Sequence, residues 1–361
     1  MRKPAQAVKK KYKTKYCVGC ELEKTDSELK NGRCPLHPNQ DLEIIEEENY
    51  FFRFSKYQKE LLSLYKNQPN FVVPGFRLKE IKKFVERGLQ DFSISRLKSK
   101  LPWGIPVPGD PEHVQFVWFD ALINYISAIG WPENKKKFKK WWPVVQVAGK
   151  DNLRQQSAIW QAMLMSANIP NSKQIFIHGF ISVGGQKISK SLGNIIDPYK
   201  LVAKYGTDAV RYYLLAKTHP FEDSDFTLGK FEKAYNADLA NGLGNLSARI
   251  AKLCERVNSP FKSTEVSLKK EVSEALEKFR FDRALESIWT DIKSLDQQIE
   301  KTKPWELKGE ELKENLEKAV KAVRNIAFNL KPFLPETAEK IEKQFSGRKI
   351  KAEKSLFPRL T

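Results

Sequence analysis

Between residues 113 and 180, strand-like and helix-like stretches alternate, and this order restricts the fold more than any other part of the chain. Val114 to Phe119 reads as a strand, Leu122 to Ile129 as a helix and Val144 to Ala148 as a strand. Ser157 to Ala167 then reads as a helix and Ile175 to Ile177 as a strand. Strands separated by helices pair in parallel through crossovers, so the pattern predicts part of a doubly wound, Rossmann-like sheet. Ligands of such sheets sit beyond the carboxyl ends of the strands. That rule selects Trp118, Asp120, Ala121 and Tyr125 after the first strand, Gly149-Lys150-Asp151-Asn152 after the second, and His178-Gly179 after the third. Core aromatics account equally well for Trp118 and Tyr125, a helix N-cap for Asp151, and a structural imidazole for His178.

Just beyond lies Gly184-Gly185-Gln186-Lys187-Ile188-Ser189-Lys190-Ser191-Leu192-Gly193-Asn194, which runs into a turn-like Ile195-Ile196-Asp197-Pro198. Its paired glycines permit close approach of the backbone to a ligand. Lys187 and Lys190 stand three residues apart, and Ser189 and Ser191 add short hydroxyl donors. Ammonium groups beside backbone N–H dipoles make a phosphate clamp that stabilises charge developing in a transition state. An ordinary basic surface hairpin is the other reading of the same residues.

The formal net charge of +19 points to a polyanionic partner, nucleic acid first, because excess Lys and Arg neutralise phosphates and release counterions. Basic residues interleave with aromatics in Lys135-Lys136-Lys137-Phe138-Lys139-Lys140-Trp141-Trp142, which strengthens that expectation. No apolar run approaches the roughly 20 residues of a membrane span, and no secretory or transit signal is recognisable, so a cytoplasmic location is expected. Three of the four cysteines fall in Cys17-Val18-Gly19-Cys20 and Cys34-Pro35-Leu36-His37. Paired Cys3His spacing suits a tetrahedral Zn2+ filled by protein on all four positions, hence a structural site. Cys254 shares a helical stripe with Ile250, Leu253 and Val257 and reads as a core thiol.

Residues 1 to about 45 read as a basic arm and zinc knuckle, held by metal for want of a core of its own. Helices follow with Tyr57, Leu61, Leu62 and Tyr65 on one face, and from Leu78 to Leu89 with a stop at Gly88. Trp103, in a Pro- and Gly-rich loop, is expected to pack against a neighbouring surface. Tyr199 to Leu215 reads as two helices joined at Gly206, and Phe231 to about Phe345 as a helix bundle. On spacing alone Asn245, Arg249 and Trp305 fit a solvated helix face and a helix-start staple.

The lysine string is similar to the Lys-Met-Ser-Lys-Ser loop of class I aminoacyl-tRNA synthetases, with Ile188 at the Met position. With Val117-Trp118-Phe119-Asp120-Ala121-Leu122-Ile123-Asn124-Tyr125, Gly149-Lys150-Asp151-Asn152-Leu153-Arg154, His178-Gly179-Phe180 and the cysteine module, the chain resembles the methionyl-tRNA synthetase family over nearly its whole length. The resemblance implies a partial Rossmann-like sheet with a zinc-knuckle insertion, followed by a helical anticodon-binding domain. The implied division is 1–90 insertion, 91–180 second catalytic half, 181–228 lysine loop and stem-contact region, 229–346 anticodon domain and 347–361 basic tail. Trp118, Ala121, Tyr125, Gln156 and Trp160 would line the methionine pocket. Gly149, Asp151, His178, Lys187, Ser189, Lys190 and Ser191 would bind ATP with Mg2+. Lys187 and Lys190 would stabilise the pyrophosphate, and Asn245, Arg249 and Trp305 would read the CAU anticodon of tRNA(Met).

The sequence departs from the family pattern in two ways. Gln156 stands where many members carry His. The ATP-binding His-Ile-Gly-His type of motif, expected about a hundred residues ahead of the knuckle, has no counterpart. The expectation is therefore the C-terminal two-thirds of a synthetase, a fragment or one piece of a split enzyme, with little methionine activation unless a separate N-terminal half joins it. A non-catalytic tRNA-binding derivative and a valine, leucine or isoleucine ligase are the alternative readings.

Overall fold

The computed structural model describes residues 7–24, 26–188, 194–257, 260–262, 265–347 and 349–360, and the chain divides into two compact units, 1–177 and 178–361. In the first unit β1 (Ala7–Cys17) is flanked by β2 (Leu22–Lys24) and by the long β3 (Glu43–Phe52), both antiparallel to it. Most of the stretch read as a basic arm is therefore strand. Its lysines face acids across the ribbon, with Lys11 opposite Glu48 and Lys13 opposite Glu46. Opposite charges on paired strands attract, so these lysines are partnered within the sheet as well as contributing to the net charge. Lys9 is also anchored, 3.0 Å from the Asp110 carboxylate.

Two amphipathic helices follow: α1 (Gln58–Asn67) buries Leu61, Leu64 and Tyr65, and α2 (Gly75–Glu86) buries Ile81 and Val85. Between them Val72–Val73 forms β4, a strand too short to announce itself beside Pro74. After β5 (Phe92–Ser93), which extends the first sheet, β6 (Ser95–Leu97), β7 (Pro106–Val107) and β8 (Asp110–Gln115) make an antiparallel sheet in the order β6-β8-β7. The strand expected over Val114 to Phe119 thus ends at Gln115, and Val117–Ala121 forms helix α3. A continuous apolar run cannot by itself distinguish a strand from a buried helical turn. Within this unit α4 (Asn124–Ser127), α5 (Lys135–Trp141), β9 (Val145–Gly149), α6 (Trp160–Ser166) and β10 (Gln174–His178) complete the alternation. The parallel, Rossmann-like part is the sheet β4-β10-β9, in which β10 runs parallel to β4. Its core gathers Phe52, Phe54, Leu61, Phe71, Ile81, Trp160 and Ile175, all nearly inaccessible. Trp103, expected to pack, is instead 87% exposed.

The second unit opens with the hairpin β11 (Ile181–Val183) and β12 (Gln186–Lys187), followed by α7 (Pro198–Tyr205) and α8 (Thr207–Ala216) around Gly206 at φ 87°. Strand β13 (Ser224–Phe226) pairs parallel with β11. Helices α9 (Leu228–Ala234), α10 (Asn245–Cys254), α11 (Lys270–Glu277), α12 (Phe281–Thr302), α13 (Gly309–Leu330) and α14 (Pro335–Ser346) form the bundle. Its core takes Leu285, Ile288, Ile292 and Leu295 from α12 and Leu316, Val320, Val323 and Leu330 from α13. Phe279, at φ 55°, separates α11 from α12.

Candidate active site, metal centre and nucleic-acid face

Cys17, Cys20, Cys34 and His37 bring their ligand atoms within 4.8 Å of one another. A tetrahedron built on Zn–S bonds of about 2.3 Å and Zn–N bonds of about 2.0 Å has edges of about 3.5–3.8 Å. The Cys17 Sγ to His37 Nδ1 distance is 3.7 Å, Cys20 Sγ to Cys34 Sγ 3.4 Å, Cys20 Sγ to His37 Nδ1 3.2 Å and Cys34 Sγ to His37 Nδ1 4.0 Å, values that scatter about those edges, so three thiols and an imidazole this close suit Zn2+. Gly19 is required here, because a Cβ at that position would lie 2.7 Å from the His37 ring. Burial pushes the Cys20 thiol up to about 12. Burial also raises Cys34, but the backbone N–H groups of Leu36 and His37 and the other thiols outweigh it and hold Cys34 below its ordinary value. Outside the ligands, Arg154 bonds Glu28 at 2.6 Å and stacks its guanidinium over Phe84.

The aromatic residues singled out after β8 lie on the helical turns of α3 and α4. Trp118 and Tyr125 pack against the core cluster that contains Trp160, and the Tyr125 and Trp160 rings are 6.1 Å apart. Ala121 is exposed, and its carbonyl accepts from the Asn124 amide. Gln156 sits in a π-helical stretch, Gln155–Ile159, that leads into α6, a local widening frequent at functional sites. Its amide donates to the Tyr125 hydroxyl at 2.9 Å.

Behind Gln156 lies a chain that the sequence reading missed. Backbone N–H of Ser172 donates to Gln161 Oε1, which leaves the Gln161 amide nitrogen to donate to Ser172 Oγ. Ser172 then donates to Gln146 Oε1, Gln146 donates to Gln156 Oε1, and Gln156 donates to Tyr125. A backbone donor therefore fixes the direction of every bond, and the Tyr125 oxygen ends the chain as an acceptor. Gln146 and Gln161 are only 4% and 0% exposed, a burial that no pattern in the sequence displays.

Gly149 and Asp151 lie at the end of β9, where Gly149 precedes a single 3-10 turn, Lys150–Asn152. Asp151 is exposed and accepts from the Asn152 side chain at 3.3 Å instead of capping the helix.

In the second unit His178 donates Nδ1–H to the Gly179 carbonyl at 2.8 Å. Gly179 admits no side chain, since a Cβ would come within 2.1 Å of the Glu222 carbonyl. Gly184 and Gly185, at φ 60° and 75°, form the two-residue turn between β11 and β12, a conformation that glycine adopts without strain. The Asp225 carboxylate pins this turn: it accepts the Gly185 N–H at 2.7 Å, the Ser182 hydroxyl at 3.0 Å and Lys230 at 2.9 Å. The Gly185 N–H first, and then Lys230, hold Asp225 down to about 2. Lys187 belongs to β12, but its side chain and all of Ser189, Lys190 and Ser191 lie outside the described residues.

Asn245 and Arg249 share α10, which follows a π-helical stretch, Tyr235–Gly244. Asn245 is exposed, whereas Arg249 is engaged by carboxylates of α12, Asp296 at 2.7 Å and Glu300. Trp305 lies in the turn after α12 and is 42% exposed. Cys254 is buried, which pushes its thiol up to about 12, as a core thiol requires.

The family model of tRNA synthetases class I (M) matches residues 4–251, and that of the anticodon-binding domain of tRNA ligase matches residues 266–359. The chain is a member of the methionyl-tRNA synthetase family. It is 41% identical over 355 residues to the methionine–tRNA ligase of Synechocystis sp., covering 91% of this chain and 66% of the relative. It is 40% identical to that of Thermosynechococcus vestitus, covering 96% and 69%. The chain thus spans about two thirds of the length of these curated relatives. Among solved structures, Mycobacterium tuberculosis methionyl-tRNA synthetase bound by methionyl-adenylate superposes with a TM-score of 0.88 at 29% identity, over 98% of this chain and 78% of that one. As a member of this family the chain combines a Rossmann-like part with a helical anticodon-binding domain. No described helix is long and apolar enough to cross a membrane.

Proposed function

We propose that this chain is the methionine-selecting, tRNA-reading portion of a cytoplasmic methionine-tRNA ligase, which joins methionine to tRNA(Met) at the expense of ATP with Mg2+. The observation that carries the reading is the Gln156 amide on the Tyr125 hydroxyl, with the Trp160 ring beside Tyr125, which gathers three of the five implied pocket residues. An apolar aromatic pocket with one oriented polar group suits a thioether side chain. Trp118 and Ala121 complete that pocket.

In this reading Gly149, Asp151, His178, Ser189 and Ser191 hold the nucleotide, and Lys187 and Lys190 act on its phosphates. A methionine carboxylate oxygen attacks the α-phosphorus, the bridging P–O bond to the β-phosphate breaks, and pyrophosphate leaves with the electron pair. The two lysines stabilise the charge that grows on it, so catalysis is positioning plus electrostatics. A terminal ribose hydroxyl of tRNA then attacks the methionyl carbonyl and AMP departs. Asn245, Arg249 and Trp305 read the anticodon through hydrogen bonds and stacking. Zn2+ on Cys17, Cys20, Cys34 and His37 would stabilise the knuckle, with no open position for a substrate. The division into 1–90, 91–180, 181–228, 229–346 and 347–361 assigns the insertion, the catalytic half, the lysine loop, the anticodon domain and the tail.

The 361 residues contain no His-x-Gly-His string, so this reading assigns adenylate formation to the chain together with a half that carries one, as a separate polypeptide or otherwise. Methionine-dependent ATP–pyrophosphate exchange tests it, on this chain alone and mixed with the N-terminal half of a related ligase. Exchange in the mixture, lost about 100-fold or more in Lys187→Ala or Lys190→Ala, is the expected result. Exchange by the chain alone would remove the need for the second half. Silence from halves that demonstrably associate would leave a tRNA-binding protein without catalysis.

A further inference from the structure

Trp305 sits at the third position of a four-residue turn, Lys303 to Glu306, closed by the Glu306 N–H on the Lys303 carbonyl at 2.9 Å. Lys303 is left-handed at φ 45°, where α12 stops, and Pro304 is buried behind the turn. The turn thereby directs backbone carbonyls outward, and three of them converge on one side chain. Arg256, just past the end of α10, donates Nη1 to the carbonyls of Pro304 at 3.4 Å and Trp305 at 3.1 Å, and Nη2 to that of Leu307 at 3.1 Å. One planar guanidinium thus ties the segment from 304 to 307 to the helix that carries Asn245 and Arg249. Arg249 makes the neighbouring tie two turns earlier, to Asp296 and Glu300 of α12.

We infer that Arg256 is a positioning residue for anticodon recognition: it holds the Trp305 turn against α10, so that the indole plane is set before RNA arrives. The inference rests on the reading of Trp305 as a stacking platform. A stacking surface gains from being fixed in advance, because a turn that is ordered on binding gives up part of the affinity as conformational entropy. Arginine suits the task better than lysine, since its planar fork fixes donors on two separate nitrogens, whereas an ammonium is a compact point charge on a flexible stem. An exposed arginine on a chain of net charge +19 would ordinarily be read as a phosphate contact, and the two roles make opposite predictions.

The test is binding of the full chain, wild type and variant, to an RNA stem-loop with a CAU anticodon and to the same stem with a scrambled loop, each at several salt concentrations. Trp305→Ala should weaken the CAU loop by roughly ten-fold or more, the range for one lost base stack. Arg256→Gln should weaken it several-fold, leave the scrambled loop and the salt slope unchanged, and add nothing in the Trp305→Ala background. Arg256→Lys, which keeps the charge, should resemble Arg256→Gln. Thermal unfolding of each variant separates a local effect from loss of the bundle, and Arg256→Lys serves if Arg256→Gln is unstable. A uniform loss on both RNAs with a slope reduced by about one, rescued by lysine, would make Arg256 a phosphate contact and overturn the inference. So would unchanged binding of the CAU loop. A silent Trp305→Ala would instead defeat the stacking reading on which it stands.

Discussion

Around Tyr125, Gln146, Gln156, Gln161 and Ser172 are at most 4% exposed and bond to one another, whereas the carboxylates that hold Arg249, Asp296 and Glu300, are 49% and 58% exposed. The first arrangement leaves no route for water to replace a lost partner, so each bond is costly to break and the direction of the whole chain is fixed. The second is bathed in solvent, where the Coulomb energy of a pair is small and salt weakens it further. A ligand side chain held in the first manner is presented in one orientation. A base-reading arginine held in the second can exchange a carboxylate for an RNA group at little cost. The comparison ties rigidity to the proposed methionine pocket and exchangeability to the proposed anticodon face.

The largest effect should come from Trp160, which is 1% exposed and packs beside Tyr125 in the proposed pocket. Trp160→Ala should destabilise the first unit by about 3–5 kcal/mol, read by urea unfolding, because it leaves a large cavity. A change under about 1 kcal/mol would mean that the pocket is not part of that core. Next comes Gln146→Leu, which takes from the Ser172 hydroxyl its acceptor and from Gln156 Oε1 its donor. The expected loss is about 2–3 kcal/mol, at the upper end for an orphaned buried polar group. Near-neutral behaviour would show that the amide chain is replaceable by packing and would erase half of the comparison.

These contrasts map onto what could be seen in the sequence. Cys17-Val18-Gly19-Cys20 and Cys34-Pro35-Leu36-His37 announce their site because ligand spacing is local, and the bundle announces itself because each helix carries its own stripe. The pairing of the lysines of β1 with the acids of β3 spans more than thirty residues of intervening chain, so composition suggested a basic arm where there is a paired strand. Gln146 meets Gln156 across the step from β9 to the π-helical stretch, and Arg256 meets the Trp305 turn 48 to 51 residues away. No period or motif encodes those contacts. The strand at Val72–Val73 was hidden for a different reason: two residues are enough to pair with β10 but too few to alternate.

On the exposed side, Arg249→Lys should change stability by no more than about 1 kcal/mol, and less at high salt, since half-exposed ion pairs contribute little. The same substitution should weaken a CAU stem-loop more than a scrambled one, because lysine cannot present the forked donors of arginine. A stability loss as large as that of Gln146→Leu would place the two regions in one class.

Asp225 offers the finest test, because it is a partly buried carboxylate held first by a backbone N–H and then by a lysine, and thus combines the two modes. Its value is depressed to about 2, with the Gly185 N–H as the first cause and Lys230 next. For a carboxylate lowered on folding, the favourable contribution is present above the unfolded value of about 3.9 and is lost as pH falls through the folded one. The β11–β12 turn should therefore keep its anchor through the whole range in which an ordinary aspartate titrates. Nuclear magnetic resonance of the Gly185 amide proton reads this directly: its shift should stay flat from pH 6 to 3 in the wild type. Asp225→Asn should move the resonance at every pH, since the amide oxygen is a weaker acceptor for that N–H and the bond to Lys230 loses its charge. A titration step centred near pH 4 in the wild type would mean that the carboxylate is not engaged by Gly185 in solution, and that the glycine turn is held by its own geometry alone.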